Sequence, residues 1–566
     1  MFERIKRWLC NKPERELGLE PGPPDMGINY CLKVYREGLA YFQSGDYAAA
    51  ERSLMRALDY RHDFAEAHFY LGLIYRRQHR SEDAMDELML ATTFKPNFEK
   101  GWFYLGVLAL DLGRSADAGR NFNTALRIRP DYAEAYNGLG NMYQAQLRHG
   151  EAVTCFKRAI ELNPHFAIAY NNLANVMIRG YADADAADRY VAKALDINPR
   201  LAEAYNNLAM IRQYQGRCEE ALLACMQSLS IDPHSKNTLW IRALARLMLG
   251  RYAEGWSDYE VRRHVLPTFG VRKFPYPEWT GAALHGCDVL VYNEQGLGDE
   301  IMFASCLPDL FALGGRFVVE CSGKLEDLFR RSFAPAFIQV TDQDRPDMSY
   351  LTGLPRFDWQ IAAGSLPRYF RTKAADFVRP TGYLRAEADR VRHWRAHLQR
   401  AGPGRKIGLS WRGGRPATNQ THRSIELETL VPLLSTHGVT FVSLQYGDCV
   451  TEIEQVRSRH NVALHHWQEA IDDYDETAAL VSALDLVVSV QTAIVHLGGA
   501  LGKPVWVMVP SSPEWRYMAS GNRMPWYPSA RLFRQKQGES WAPVIDQLIN
   551  RLKFDDQKNQ SSDEIG

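Results

Sequence analysis

Arg412 follows the apolar, β-rich run KIGLSW (406–411), and Arg423 stands just before ELETLVPLL (426–434), which reads as a helix. A guanidinium at such a corner can grip a phosphate through two parallel hydrogen bonds. Thr492 and Ala493 stand where another apolar run, LVVSV (486–490), gives way to a helix. Their free amides and the helix dipole would face an anion. Asp299 closes the stretch NEQGLGD (293–299), in which Gly296 and Gly298 let the backbone come close to a ligand. Together these residue types suit a phosphate-bearing substrate. A structural use competes for Asp299, because aspartate is a favoured N-cap and a helix is expected from Glu300.

The elements that must hold these residues begin after the Pro275–Gly281 stretch. There, apolar runs start to alternate with helical ones, as in a doubly wound α/β fold. DVLVY (288–292) reads as a buried strand, 293–299 as the loop that leaves it, and Glu300 to Leu313 as the next helix. A second series runs through KIGLSW, VTFVSL (439–444), LVVSV and VWVMV (505–509). Two Rossmann-like lobes are expected, divided at AGPGR (401–405), where glycines and a proline interrupt a helix. In such sheets ligands bind at the carboxyl ends of the strands.

The N-terminal half follows another rule. Pro96, Pro130, Pro164, Pro199 and Pro233 recur every 34 or 35 residues, the period of stacked helix pairs. Between them an aromatic, a Leu-Gly or Leu-Ala pair and two alanines return in phase: Trp102, Leu105, Gly106, Ala118 and Ala125, then Tyr136, Leu139, Gly140, Ala152 and Ala159. His62 fills the proline slot of the first unit. The pattern resembles about six tetratricopeptide repeats from residue 29, with Leu239 to Arg263 as a degenerate capping pair. A solenoid of this kind offers an extended concave face suited to a peptide or protein. Asn172 and Asn207 fall two positions after the aromatic, matching the asparagine ladder with which the O-GlcNAc transferase solenoid grips polypeptide backbone. The same side chains can equally bond between adjacent helices.

Composition excludes some partners. Lys plus Arg and Asp plus Glu both total 67, so no net field draws the chain to nucleic acid or to an anionic membrane. Nine cysteines without a Cys-x-x-Cys pair point to a reducing compartment. With no apolar run of about 20 residues to span a bilayer, a cytoplasmic location is expected. Met1 to Cys10 reads either as a frayed cap on the first repeat or as a short amphipathic helix.

Seven blocks, in order, carry a resemblance over residues 276 to about 550: NEQGLGDEIMFASCLPDL, SWRGG, RSIELETLVPLL, SLQYGD, SVQTAIVHLGGALGKPVWVMVP, EWRYM and PWYPSARLFRQ. The chain resembles bacterial tetratricopeptide-linked glycosyltransferases, which are related to the heptosyltransferases and similar in architecture to O-GlcNAc transferase. The resemblance implies a multidomain protein, with an all-α tetratricopeptide solenoid followed by an α/β GT-B domain. It also implies inverting, metal-independent transfer from a nucleotide-sugar donor with no cofactor. Asp299 would be the general base, because the heptosyltransferase base occupies the same GD element. Ser410, Arg412, Arg423, Gln445, Gln491, Thr492, Ala493 and His496 would bind the donor, and Gly296 and Gly298 would line the acceptor or donor loop. His496 serves equally as a packing residue. Gln491 departs from the acidic residue usual before the Thr.

The expected domains are an N-terminal extension (1–28), the solenoid with capping helices (29–265), an acceptor lobe (276–402), a nucleotide-sugar lobe (403–552) and a disordered tail (553–566). Asp342-Gln343-Asp344 imitates a metal-binding Asp-x-Asp but lacks a strand context, so no metal is expected. Trp515, Arg516, Trp526 and Tyr527 read as packing. The function expected is glycosylation of a docked protein on Ser or Thr, with flagellin as one client. An inactive scaffold, or a transferase for a glycan or lipid-linked acceptor, stands as the alternative.

Overall fold

A computed structural model describes residues 24–266, 274–341, 351, 356–377, 382–414 and 423–563, with side chains between Asn29 and Asp555. The 1–23 segment and Asp342-Gln343-Asp344 lie outside the described residues. The chain divides into two compact units between Pro199 and Arg200. The unit boundary therefore falls inside the repeats, which continue past residue 200.

The first unit is built of helix pairs: Pro24–Ser44 with Tyr47–Tyr60, Ala65–Arg77 with Ser81–Phe94, Glu99–Asp111 with Ser115–Ile128, Ala133–Ala145 with His149–Leu162, and Ala167–Tyr181 with Ala184–Ile197. The phased prolines end the second helix of each pair. Lys95, Arg129, Asn163 and Asn198, each just before a proline, leave the helix in an extended conformation with ψ of 82°, 92°, 91° and 92°. The clash with a following proline ring favours that conformation. Arg61 adopts it before His62 as well, with ψ of 88°, so the turn also forms without a proline.

The phased small residues explain how the two helices of a pair touch. A Cβ on Gly106 would stand 2.6 Å from the Phe122 ring, and one on Gly140 would stand 2.4 Å from Phe156. Ala118, Phe122 and Ala125 are fully buried, as are Ala152, Phe156 and Ala159. Small and large residues thus alternate across each contact.

The second unit opens with two further pairs, Ala202–Tyr214 with Cys218–Ile231 and Lys236–Met248 with Tyr252–Tyr259, followed by the short helix Arg262–Val265. Two sheets come next. Strands β1 (Asp288–Tyr292), β2 (Arg316–Cys321), β3 (Ala336–Val340) and β4 (Trp359–Ala362) form a parallel sheet in the order β3-β2-β1-β4. Strands β5 (Arg405–Ser410), β6 (Val439–Ser443), β7 (Leu464–His465), β8 (Leu486–Ser489), β9 (Val505–Val509), β10 (Arg523–Met524) and β11 (Tyr527–Arg534) form the other, in the order β10-β11-β9-β8-β5-β6-β7. It is parallel except for the β10–β11 pair. Strands β8 and β9 are buried along their whole length, as a sheet covered on both faces requires.

Three expectations are corrected. The helix expected over Glu300 to Leu313 is two helices, Leu297–Ala304 and Leu307–Phe311. Pro308 has no N–H to give the Ala304 carbonyl, so the helix cannot run through. The helix Ala388–Ala401, expected to belong to the first lobe, packs against Tyr474–Ala483 of the second: Trp394 Nε1 donates to Glu476 at 2.7 Å, and Arg390 pairs with Asp473 and Glu476. The segment expected to be a disordered tail continues the final helix, Ala542–Asp563, where Arg551 and Asp555 pair one turn apart at 3.0 Å.

Candidate active site

Both chemical loops leave the carboxyl end of a parallel strand. The 293–296 loop follows β1 and feeds Leu297–Ala304, while the turn after β8 feeds Ala493–Ala500. These two helices pack against each other. A Cβ on Gly298 would stand 3.0 Å from His496 Cδ2 and 3.4 Å from Ala493 Cα, so a residue without a side chain is what allows the approach. Gly296 is the N-cap of its helix, and Asp299 lies inside the first turn rather than at the cap. The capping role weighed for Asp299 is therefore not its role.

Asp299 instead pairs with Arg516, 217 residues further along. Arg516 Nη1 lies 3.3 Å from Glu514 Oε2, and Glu514 Oε1 lies 3.3 Å from Arg423 Nη1. Arg423 Nη2 also donates to the Gln491 carbonyl at 2.6 Å, and the Glu514 amide donates to the Gln491 side chain at 3.3 Å. The result is a charge ladder, Asp299–Arg516–Glu514–Arg423, that ends on the β8 corner. Burial works against the Arg516 charge, but Asp299, Glu514 and Tyr259 outweigh it and hold its pKa above the ordinary arginine value.

Three N–H donors in this ladder are buried without a hydrogen-bond partner among the described residues: Arg423 Nε, Arg516 Nε and Gln491 Nε2. Gln491 is fully buried. All three are donors, so the ligand that would satisfy them is an acceptor.

The helix start is formed as expected. The Thr492 hydroxyl accepts from the Ile494 amide at 3.2 Å and caps Ala493–Ala500. Gly413 comes so close to this corner that its Cβ would stand 2.8 Å from the Gln491 carbonyl. His496 is buried, with Nδ1 3.2 Å from the Tyr527 hydroxyl. Burial, and then the charges of Arg516 and Arg423, push its pKa well below the ordinary value, so it packs here as a neutral ring.

Other residues expected to contact the donor have protein partners. Ser410 and Gln445 are buried and committed to shaping the loop after β5: Gln445 Oε1 accepts from the Trp411 and Arg412 amides at 3.0 and 2.8 Å, with Ser410 Oγ at 3.4 Å. The Arg412 guanidinium turns onto Glu452 and the Asp448 carbonyl, at 2.9 and 2.6 Å, and takes no part in the ladder. In the repeats, Asn172 Nδ2 donates to Asn137 and Asn141, each at 3.0 Å, so it does bond between neighbouring helices. Asn207 is buried on Ala202–Tyr214.

The residues that sequence reading missed come from the last repeat pair and from EWRYM. The Gln295 amide donates to the Tyr259 hydroxyl at 3.1 Å, and Gln295 itself holds a positive φ of 65°, a conformation that needs outside support. Arg262 is fully buried and grips Glu294 at 2.8 Å, together with Ser365 at 2.8 Å. Trp256 donates to the Arg371 carbonyl at 2.8 Å and packs edge-on against Trp515 and Trp526. Arg516, expected to pack with those tryptophans, does lie over Trp515 but also pairs with Asp299. Among the described residues, no group of three His, Cys, Asp or Glu side chains stands ready to hold a metal ion, and no helix is long and apolar enough to cross a membrane.

Tetratricopeptide repeat families match residues 35–97, 133–166 and 202–235. Protein FlbA of Caulobacter vibrioides is 34% identical over 356 residues, which cover 60% of this chain and 59% of FlbA. Similar solved structures include the APC/C hetero-tetramer Cut9–Hcn1, 17% identical over 38% of this chain and 42% of that one, with a TM-score of 0.35. A tetratricopeptide repeat protein of Parabacteroides merdae is 19% identical over 43% of this chain and 94% of its own, with a TM-score of 0.36. TTC0263 of Thermus thermophilus is 23% identical over 32% and 99%, with a TM-score of 0.30. The chain thus spans less than two thirds of FlbA and of the Cut9–Hcn1 chain. With the proline period, the paired helices and the family matches in agreement, the N-terminal region consists of tetratricopeptide repeats.

Proposed function

We propose that the chain is an inverting glycosyltransferase of the GT-B type that moves a sugar from a nucleotide-sugar donor to Ser or Thr of a protein held by its tetratricopeptide helices. The observation that carries this reading is the cluster of N–H donors on Arg423, Arg516 and Gln491 that have no partner among the described residues, set beside the Asp299 carboxylate where loops from the two sheets come together. Such a cluster suits the diphosphate of a donor, and the adjacent carboxylate suits an acceptor hydroxyl.

The roles divide as follows. Arg423, Arg516 and the amides at the Thr492–Ala493 helix start hold the diphosphate. The acceptor oxygen attacks the anomeric carbon from the face opposite the leaving group, and its proton passes to Asp299. The bond from that carbon to the phosphate oxygen breaks, and its electron pair leaves on the nucleoside diphosphate, whose charge the two arginines meet. Inversion follows from that single displacement. The repeats supply the protein-binding surface that tetratricopeptide arrays provide, and flagellin remains one client of this type.

The test is release of nucleoside diphosphate from a panel of UDP-, GDP-, dTDP- and ADP-sugars by the full-length protein, with acceptor proteins present. One donor is expected to be consumed. Asp299→Asn should slow that turnover by about 10²–10⁴-fold while nucleotide still binds. Arg423→Ala should weaken nucleotide binding. If no donor is consumed and no nucleotide binds, the chain is a scaffold.

A further inference from the structure

Asp299 is not free. Its carboxylate is paired with Arg516, and both side chains are largely shielded from solvent, at 16% and 13% exposed. The Asp299 Oδ1 that Arg516 holds is not open to an acceptor hydroxyl while the pair is closed. The ladder is also balanced as it stands, with two carboxylates, Asp299 and Glu514, against two guanidiniums, Arg516 and Arg423. A diphosphate entering this cluster adds negative charge without adding a cation. The diphosphate then competes with the two carboxylates for the same guanidiniums.

Geometry selects which carboxylate gives way. Glu514 is tied on both sides, to Arg423 and to Arg516, and its own amide is bonded to the Gln491 side chain. Asp299 has Arg516 alone as its ion-pair partner among the described residues. Arg516 has in addition an Nε–H with no acceptor among the described residues, a first foothold from which an incoming oxyanion can draw the guanidinium away from Asp299. The Asp299 carboxylate is therefore the group a phosphate displaces.

We propose that Arg516 is a latch on Asp299 that the diphosphate of the donor opens, so that the carboxylate becomes available to the acceptor only once the donor is in place. The inference rests on the reading of Asp299 as the base. It adds to that reading a dual role for Arg516: restraint in the empty site and phosphate ligand in the filled one.

The experiment measures binding of inorganic pyrophosphate to the full chain by calorimetry in a double-mutant cycle. Asp299→Asn removes the competing carboxylate and should tighten pyrophosphate by about fivefold or more. Arg516→Ala should weaken it by about tenfold. In the double variant the tightening should vanish, because there is no guanidinium left to release. Far-UV circular dichroism and the melting midpoint check that each variant is folded, and Arg516→Gln replaces Arg516→Ala in the cycle if the alanine variant is not.

Two outcomes overturn the latch. In the first, Asp299→Asn leaves pyrophosphate affinity unchanged. In the second, it tightens binding equally with and without Arg516, which would mean that only through-space repulsion was relieved. The readout is separate from sugar transfer. Coupled pyrophosphate binding without consumption of any donor would count against the transferase while leaving an anion-operated latch. Transfer without coupling would remove the latch and keep the enzyme.

Discussion

Both compact units carry exposed ion pairs, but buried arginine–carboxylate pairs belong to the second. In the first, ion pairs such as Arg80–Asp83, Arg148–Glu151 and Arg158–Glu161 join residues three apart on one helix, with side chains about half exposed. In the second, Arg262–Glu294 is buried on both sides, and Asp299–Arg516 spans 217 residues in a nearly closed site. Exposed local pairs are screened by water and contribute little; buried distant pairs cannot lose one partner without stranding the other. Stability in the first unit therefore rests on the aromatic and alanine contacts between helices. In the second, polar groups dictate where the loops go.

The sharpest way to break this contrast is Arg262→Ala. It strands Glu294 in the interior and frees the loop that leads to Asp299, so we expect a loss of about 4–5 kcal/mol in urea unfolding. The loss should appear in the transition of the second unit, and donor turnover should fall with it. A loss under about 1 kcal/mol would show that the buried pair does not organise that unit.

The counterpart in the first unit is Phe156→Ala. Phe156 is fully buried and packs into the space left by Gly140. Its removal should cost about 3–4 kcal/mol. Because repeats interact with their neighbours, limited proteolysis should first nick the His149–Leu162 region while the second unit stays resistant.

A third test concerns the carboxylate next to Asp299. Burial pushes the Glu300 pKa up to about 7, against the help of the Ser322 amide, which donates to it at 2.8 Å. An unfolded glutamate titrates near 4.3, so between these values the folded state holds a proton that the unfolded state has lost. Stability contributed by this group is thus full below about pH 4 and declines as pH rises to about 7, by on the order of 3 kcal/mol. Glu300→Gln carries no such penalty. Its melting midpoint should gain on wild type as pH is raised from 5 to 7.5, and a constant difference across that range would contradict the assignment.

The smallest effect belongs to the exposed pairs. Arg158→Ala should leave the melting midpoint unchanged within error at any salt concentration. A clear loss would mean that surface charge contributes to the first unit after all.

Much of the scaffold was legible in the residues themselves. The prolines at 34- and 35-residue intervals mark helix ends, which the clash with the preceding residue favours, and the strands at Asp288–Tyr292 and Val505–Val509 are the runs DVLVY and VWVMV. These features depend on neighbours in sequence: ring sterics, hydrophobic runs and a helix start at Thr492. The Pro308 break was legible too, since a missing N–H is a local fact, but the apolar periodicity around it masked it.

The site was legible only in part. Asp299, Arg423 and Thr492 could be picked out because each sits at the junction of a strand or loop with a helix. Arg412 shares that position and goes elsewhere, because Glu452 on the Val450–His460 helix offers it a nearer charge. Arg516 lies among tryptophans in the sequence and packs beside them, yet its charge serves a partner 217 residues away. Local sterics and hydrophobic spacing determined the helices and strands of this protein from its sequence alone. Which charges meet was decided by the tertiary structure, because an ion pair depends on distance in space, and a linear pattern carries that distance only when the two residues share one element.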